Sequence, residues 1–227
     1  RNGGRLMISR LNLIDILYSL PAIFLAFSFH EFAHAFIAYH MGDVTPKMQG
    51  RLTLDPLAHV DWIGLIMFAI FGFGWAKPVQ VNSSNFRNRR WGDILVSIAG
   101  PMANIVLAFF AFFIIHILGG TFSLNNYGSI NSGMAILLSI LYKIVSLNII
   151  FAFLNLIPIP PFDGYKIVKT LFFRKNIKLF WLLERYSIII LFAMIIFNIF
   201  SFIISFPYTF TYRYLDRFTA WLVGLFL

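Results

Sequence analysis

Four apolar stretches, near residues 12–39, 94–118, 134–157 and 186–207, dominate this sequence. Each is long enough as a helix to cross a hydrocarbon core of about 30 Å, which takes roughly 20 residues. Of the 227 residues, 59% are apolar and 12% charged, against about 25% charged in a typical soluble domain. Lipid is therefore the expected solvent. The first stretch runs on through charged residues without a small-residue cleavage site, so it reads as a retained span and not a signal peptide. No repeat of about 20 to 50 residues is visible. The expectation is an all-α polytopic membrane protein, a bundle of about four spans forming a single membrane-embedded domain over 1–227.

Charge sets the orientation. The 18 Lys and Arg outnumber the 9 Asp and Glu, but they are scattered among the loops without a nucleic-acid fold signature, so nucleic acid is not an expected partner. Six basic residues fall in 41–90, six in 165–185 and none in 119–133. The positive-inside rule puts the two rich loops on the cytoplasmic face of a cell membrane and the empty one outside. The apolar run Trp62–Gly74 is too short for a comfortable crossing. If it did cross, Lys47 and Arg51 would face the opposite side from Arg87, Arg89 and Arg90. It is read as a re-entrant segment, with a β-hairpin as the other form it could take, tolerated where protein or a wet cavity satisfies its backbone. The N-terminus then lies outside, where three basic residues are anomalous. Reading Arg1–Leu6, ahead of Met7, as a cloning remnant leaves only Arg10.

Chemistry sits where the composition would exclude it. Cysteine is absent, so any metal must use His and carboxylate. The chain has two glutamates, Glu31 and Glu184, and Glu31 lies inside the first span within His30-Glu31-Phe32-Ala33-His34. An ionisable group in a span costs about 2.5–3.5 kcal/mol on insertion scales, so the cluster calls for a function or a partner. Helical positions i and i+4 share a face, which aims both imidazoles at one ion and leaves the glutamate beside them to handle a water proton. A catalytic zinc needs a third protein ligand. Near the end of the third span, Asn155-Leu156-Ile157-Pro158-Ile159-Pro160-Pro161-Phe162-Asp163-Gly164 cannot continue a helix. Asp163 thus falls on a fixed, non-helical segment ahead of a basic loop. Taken alone, an Asp-Gly after prolines reads as a turn. His30 and His34 lie roughly 9 to 15 Å from the cytoplasmic end of their span at 1.5 Å per residue, so the two elements can meet in the inner leaflet.

At these residues the chain resembles the site-2 protease family of intramembrane metalloproteases. The resemblance extends through Gly50–Leu57, Gly74–Val79, Ala99-Gly100-Pro101-Met102-Ala103-Asn104, Asn155–Pro158 and Asp163-Gly164, in that order. It implies one Zn²⁺ held by His30, His34 and Asp163, Glu31 as general base, and Asn155 holding substrate or stabilising the oxyanion. The implied activity is hydrolysis of peptide bonds within or next to transmembrane segments of membrane-protein substrates, with the site toward the cytoplasmic leaflet. The form is minimal, without a PDZ insertion or a nucleotide-sensing domain. A transmembrane substrate must unwind locally, and Trp75–Asn82, with alternating Val79-Gln80-Val81, is the candidate edge strand to receive it. Gly100 and Asn104 are expected to let the second span approach the motif helix, with packing as open a role for them as catalysis. His59 reads as a surface loop residue, and His116 as solitary on an apolar span. A catalytically inactive membrane chaperone or binding relative, and less readily a transporter, are the rival classes. The first would be expected to have lost one of the four motif residues, and the second to show repeat-related helix interruptions.

Overall fold

The structure is a computed structural model that describes residues 13–71, 74–118 and 132–226. Helix α1 spans Leu13–Met41, and two short helices follow, α2 at Thr45–Met48 and α3 at Pro56–His59. Asp55 caps α3 by accepting from Leu57 N at 3.0 Å, ahead of a proline at the first helical position. Helix α4, Trp62–Phe71, starts where the Asp61 carboxylate accepts from the Ile63 and Gly64 amides. After an extended stretch, α5 runs Arg89–Ile117 from its Asn88 cap, and α6 runs Ser132–Asn155. Then come α7, Asp163–Phe172, α8, Ile177–Arg185, α9, Ser187–Ile196, and α10, Ile199–Gly224.

Helices α1, α5 and α6 pack on one another as the central bundle, with α10 against α5 and α6, and α7 against α5. Lipid tails are as apolar as leucine, so helices in a bilayer associate by close packing of small residues and not by escaping water. Ala22, Ala26, Ala35 and Ala38 of α1 and Ala108 of α5 are accordingly fully buried. Phe112, Ile115, Val145 and Ile149 fill the space between the backbones. A second cluster, Ile157, Phe162, Met194 and Ile204, clamps the proline-rich segment after α6 onto α9 and α10. That clamp positions Asp163.

Three helices, α1, α5 and α6, are long and apolar enough to cross a membrane, matching the first three expected spans. A fourth is available if α8 and α9, bent by 65°, cross as one. The single span expected over 186–207 does not form. The chain breaks after α9, where Asn198 adopts a left-handed conformation at φ 53° that a helix cannot continue through and that Asn tolerates better than most residues.

The two flanks of α4 meet. Val60 and Ala76 form an antiparallel bridge, and Lys77 N donates to His59 O at 2.8 Å, so the flanks lie side by side. Between them α4 has 10 residues, roughly 15 Å at 1.5 Å per residue. Among the described residues no strand forms, and the hairpin alternative is limited to that one bridge, because Asp61 diverts the chain into α4 before a second pair can add. Residues 1–12, the glycine-rich Gly72-Phe73 and the expected outer loop 119–131 lie outside the described residues.

Candidate metal centre

On α1, His30 and His34 stand one turn apart, as the i, i+4 spacing requires, with ring centroids 4.6 Å apart and edge-to-face. Each ring is fixed through Nδ1. His34 Nδ1 donates to Val96 O at 2.7 Å, and His30 Nδ1 donates to Asn104 Oδ1 at 2.9 Å. A carbonyl only accepts, so Nδ1 of His34 carries the proton and its Nε2 keeps a lone pair. Both partners come from α5. They can reach because position 100 is glycine: a Cβ there would stand 2.5 Å from His34 Nε2 and 2.6 Å from His30 Nε2.

Asp163 arrives from the other direction, not on the non-helical segment expected of it but at the first position of α7, because the helix starts directly behind Phe162, the last residue in extended conformation. Its neighbour Gly164 is pressed against the Leu156 and Ile157 carbonyls, where a side chain would collide with backbone. Asp163 Oδ2 lies 3.1 Å from His30 Nε2 and 3.0 Å from His34 Nε2, and the two Nε2 atoms lie 3.0 Å apart. Its other oxygen accepts from Lys166 Nζ at 2.8 Å. All three residues are at least nine-tenths buried.

Three lone-pair-bearing atoms converge in this triangle, and such atoms repel unless a cation or a shared proton stands among them. The donor set is that of zinc, two imidazoles and a carboxylate. Tetrahedral zinc with bonds of 2.0–2.1 Å holds its ligands roughly 3.3 Å apart, so the triangle fits after opening by a few tenths of an ångström. His30, His34 and Asp163 are also the group among the described residues that could hold a metal ion.

Glu31 is buried beside them, and its Oε2 accepts from Val79 N at 2.9 Å, so the extended stretch 75–82 lies against the motif helix. Asn155 lines the same cavity, of about 1640 Å³, but is not drawn into the triangle: its Nδ2 donates to Phe151 O at 3.0 Å. Three histidine and aspartate placements depart from expectation or add to it. His59 is fully buried and bonds Thr53 O at 2.8 Å, because α3 folds back beneath α1. His116 is paired, its Nε2 lying 3.1 Å from Asp216 Oδ1 on α10, a contact invisible without the packing of α10 on α5. Asp43 is fully buried at the end of α1, where it gathers Thr45 N, Thr45 Oγ1, Asn85 Nδ2 and Asn82 N at 2.6–3.1 Å. Sequence reasoning gave Asp43 no role. Its signal, an Asp two residues before a Thr at a short helix, is common to many turns.

A bundle of membrane-length helices with two helix-borne imidazoles, an adjacent glutamate and a carboxylate from a second element has the make-up of a metal-dependent membrane hydrolase. Comparison with known proteins bears this out: the sequence model of peptidase family M50 matches residues 18–200, and the chain belongs to that family. It is 41% identical over 154 residues to "Putative zinc metalloprotease YwhC" of Bacillus subtilis, covering 68% of each chain. It is 33% identical over 143 residues to "Putative zinc metalloprotease Rip2" of Mycolicibacterium smegmatis, covering 60% of this chain and 50% of that one. No solved structure shows significant similarity to it. The resemblance to site-2 proteases read from the motifs is thus shown at family level.

Proposed function

We propose that this protein is a multi-pass zinc endopeptidase of a cell membrane that hydrolyses peptide bonds within or next to transmembrane segments of other membrane proteins. His30, His34 and Asp163 hold one zinc ion, Glu31 is the general base, and the site lies toward the cytoplasmic leaflet in a single membrane domain. The observation that carries this reading is the convergence of three buried ligand atoms, 3.0–3.1 Å apart and from two distant elements, beside a buried glutamate.

A zinc ion there supplies Lewis-acid polarisation of a peptide carbonyl and brings the pKa of a water toward about 7. The chain's own residues do the rest. Asn104 and Val96 O hold the imidazoles in the tautomer that offers Nε2. Glu31 accepts the proton of the attacking water and returns it to the leaving amine. Asn155, at the cavity wall, donates to the developing oxyanion once its side chain leaves the Phe151 carbonyl. The re-entrant reading of 62–74 draws support from its bridged ends and from a helix too short to span. The stretch Trp75–Asn82, extended and half exposed, is the edge that receives an unwound substrate backbone.

The test is a purified, zinc-loaded protein in nanodiscs with a fluorogenic transmembrane peptide. Glu31→Gln is expected to keep one zinc per chain by mass spectrometry and to lose turnover by about a thousandfold or more. Retained turnover in that variant would overturn the assignment of Glu31. A parental protein that holds zinc and cleaves no membrane peptide would overturn the activity.

A further inference from the structure

The cavity that contains the triangle opens through a strongly basic mouth. Arg89 and Arg90 from the first turn of α5, Lys166 and Lys169 from α7, and Lys175 just beyond it line one continuous space with His30, His34 and Asp163. Lys166 is paired with Asp163 and Lys169 with Glu184. Arg89, Arg90 and Lys175 are exposed and, among the described residues, have no carboxylate partner. The carboxylate of Asp93, on the same wall, accepts from Ser83 Oγ. Two of the three free cations also stand at the positive end of a 29-residue helix whose first turn holds no acid, where the helix dipole disfavours them. A local arrangement that costs stability points to a use.

From this we infer that the mouth selects substrates by charge, taking transmembrane segments whose flank on this side is acidic. The inference rests on the protease reading and names its substrate class. Most membrane proteins carry Lys and Arg on their cytoplasmic flanks. Such flanks meet like charge at Arg89, Arg90 and Lys175 and are turned away, whereas a flank rich in Asp or Glu pairs with all three as its segment enters the cavity. Rejection of the ordinary flank does as much for selectivity as attraction of the rare one. A peptide is favoured over lipid headgroups as the occupant because the three cations line the cavity that leads to the metal ligands.

The experiment measures binding apart from catalysis. Three fluorescent peptides share one transmembrane core and carry acidic, neutral or basic flanks, and each is titrated by anisotropy into the Glu31→Gln protein in zwitterionic nanodiscs. The acidic flank is expected to bind about tenfold tighter than the neutral one, the size of two to three exposed charge pairs, and the basic flank more weakly than either. Raising salt from about 0.05 to about 0.5 M should erase the difference. The triple variant Arg89→Glu, Arg90→Glu, Lys175→Glu should reverse the order, and the milder triple change to Gln should flatten it. Equal affinities for all flanks in the Glu31→Gln protein overturn the proposal. So does an outcome in which, in a second set of nanodiscs that contain anionic lipid, the reversal strips that lipid from the protein, read by native mass spectrometry, while peptide affinities stay within about twofold, since the mouth is then a lipid site. Cleavage of the neutral peptide by the zinc-loaded parental protein reports separately on the protease reading: cleavage without flank preference sinks only this inference, and flank preference without cleavage sinks only that reading.

Discussion

Two small choices on α5 decide whether the histidines can act together. Gly100→Ala would place a methyl group 2.5–2.6 Å from both Nε2 atoms, so it should abolish stoichiometric zinc in purified protein, read by mass spectrometry. Helical content should hold, since alanine favours a helix over glycine by about 1 kcal/mol. Unchanged zinc content would mean that α5 can retreat from α1. Asn104→Ala removes the acceptor that orients His30 and should weaken zinc binding about 10- to 100-fold, the usual effect of losing a partner behind a metal-bound imidazole. Competition with a chromophoric chelator measures it. At this scale the sequence was informative about His30, Glu31 and His34, because i, i+4 geometry is local and needs no tertiary knowledge. It was silent on the Asp216 partner of His116 and on the burial of His59, which depend on how α10 and α3 fold back.

Among the elements, the stretch 75–88, extended as far as Asn82 and then turning at Ser83–Asn85, is held to the end of α1 by Asp43, through Asn82 N and Asn85 Nδ2. Burial alone would raise this carboxyl, but the donors from Thr45, Asn82 and Asn85 hold it below its ordinary 3.8. A depressed pKa means that the carboxylate stabilises the fold above about pH 4 and that this contribution is lost as pH falls below that value. Asp43→Asn should therefore cost about 1–3 kcal/mol at pH 7, seen as a lower Tm, and the gap to the parental protein should narrow in acid. A gap constant with pH would place the effect elsewhere. The edge stretch itself can be probed in two places. Val79→Pro removes the amide that Glu31 accepts from and an edge donor together, whereas Val81→Pro leaves the Glu31 bond intact. Both should cut cleavage of a full transmembrane substrate, and Val81→Pro should spare a short extended peptide more. Parental rates on the full substrate in both variants would leave Trp75–Asn82 with no part in capture. The sequence pointed to an extended edge here through its Pro and alternating Val residues, but the structure makes no ladder, because Asp61 caps α4 one residue after the Val60 bridge.

For the molecule as a whole, the metal ligands tie α1 to the start of α7 across a sequence separation of 129 to 133 residues. Zinc at about 100 times its Kd should then add about 2.7 kcal/mol to stability by mass action. Chelation is expected to lower Tm by several degrees, zinc to restore it, and Asp163→Ala to remove the response. An unchanged Tm on chelation would mean that the clamp of Ile157, Phe162, Met194 and Ile204 alone sets this docking. The sequence by itself determined the solvent, the three membrane-length helices and the helix-borne half of the site, since hydropathy, helix length and i, i+4 spacing are properties of contiguous residues. Only the tertiary structure decided that the fourth apolar run breaks at Asn198, that His59 is buried and His116 paired with Asp216, and that five basic residues share one mouth. Those features are distances between segments far apart in the chain, fixed by how small residues let the helices approach and by where the proline-rich segment is clamped, and no local pattern encodes them.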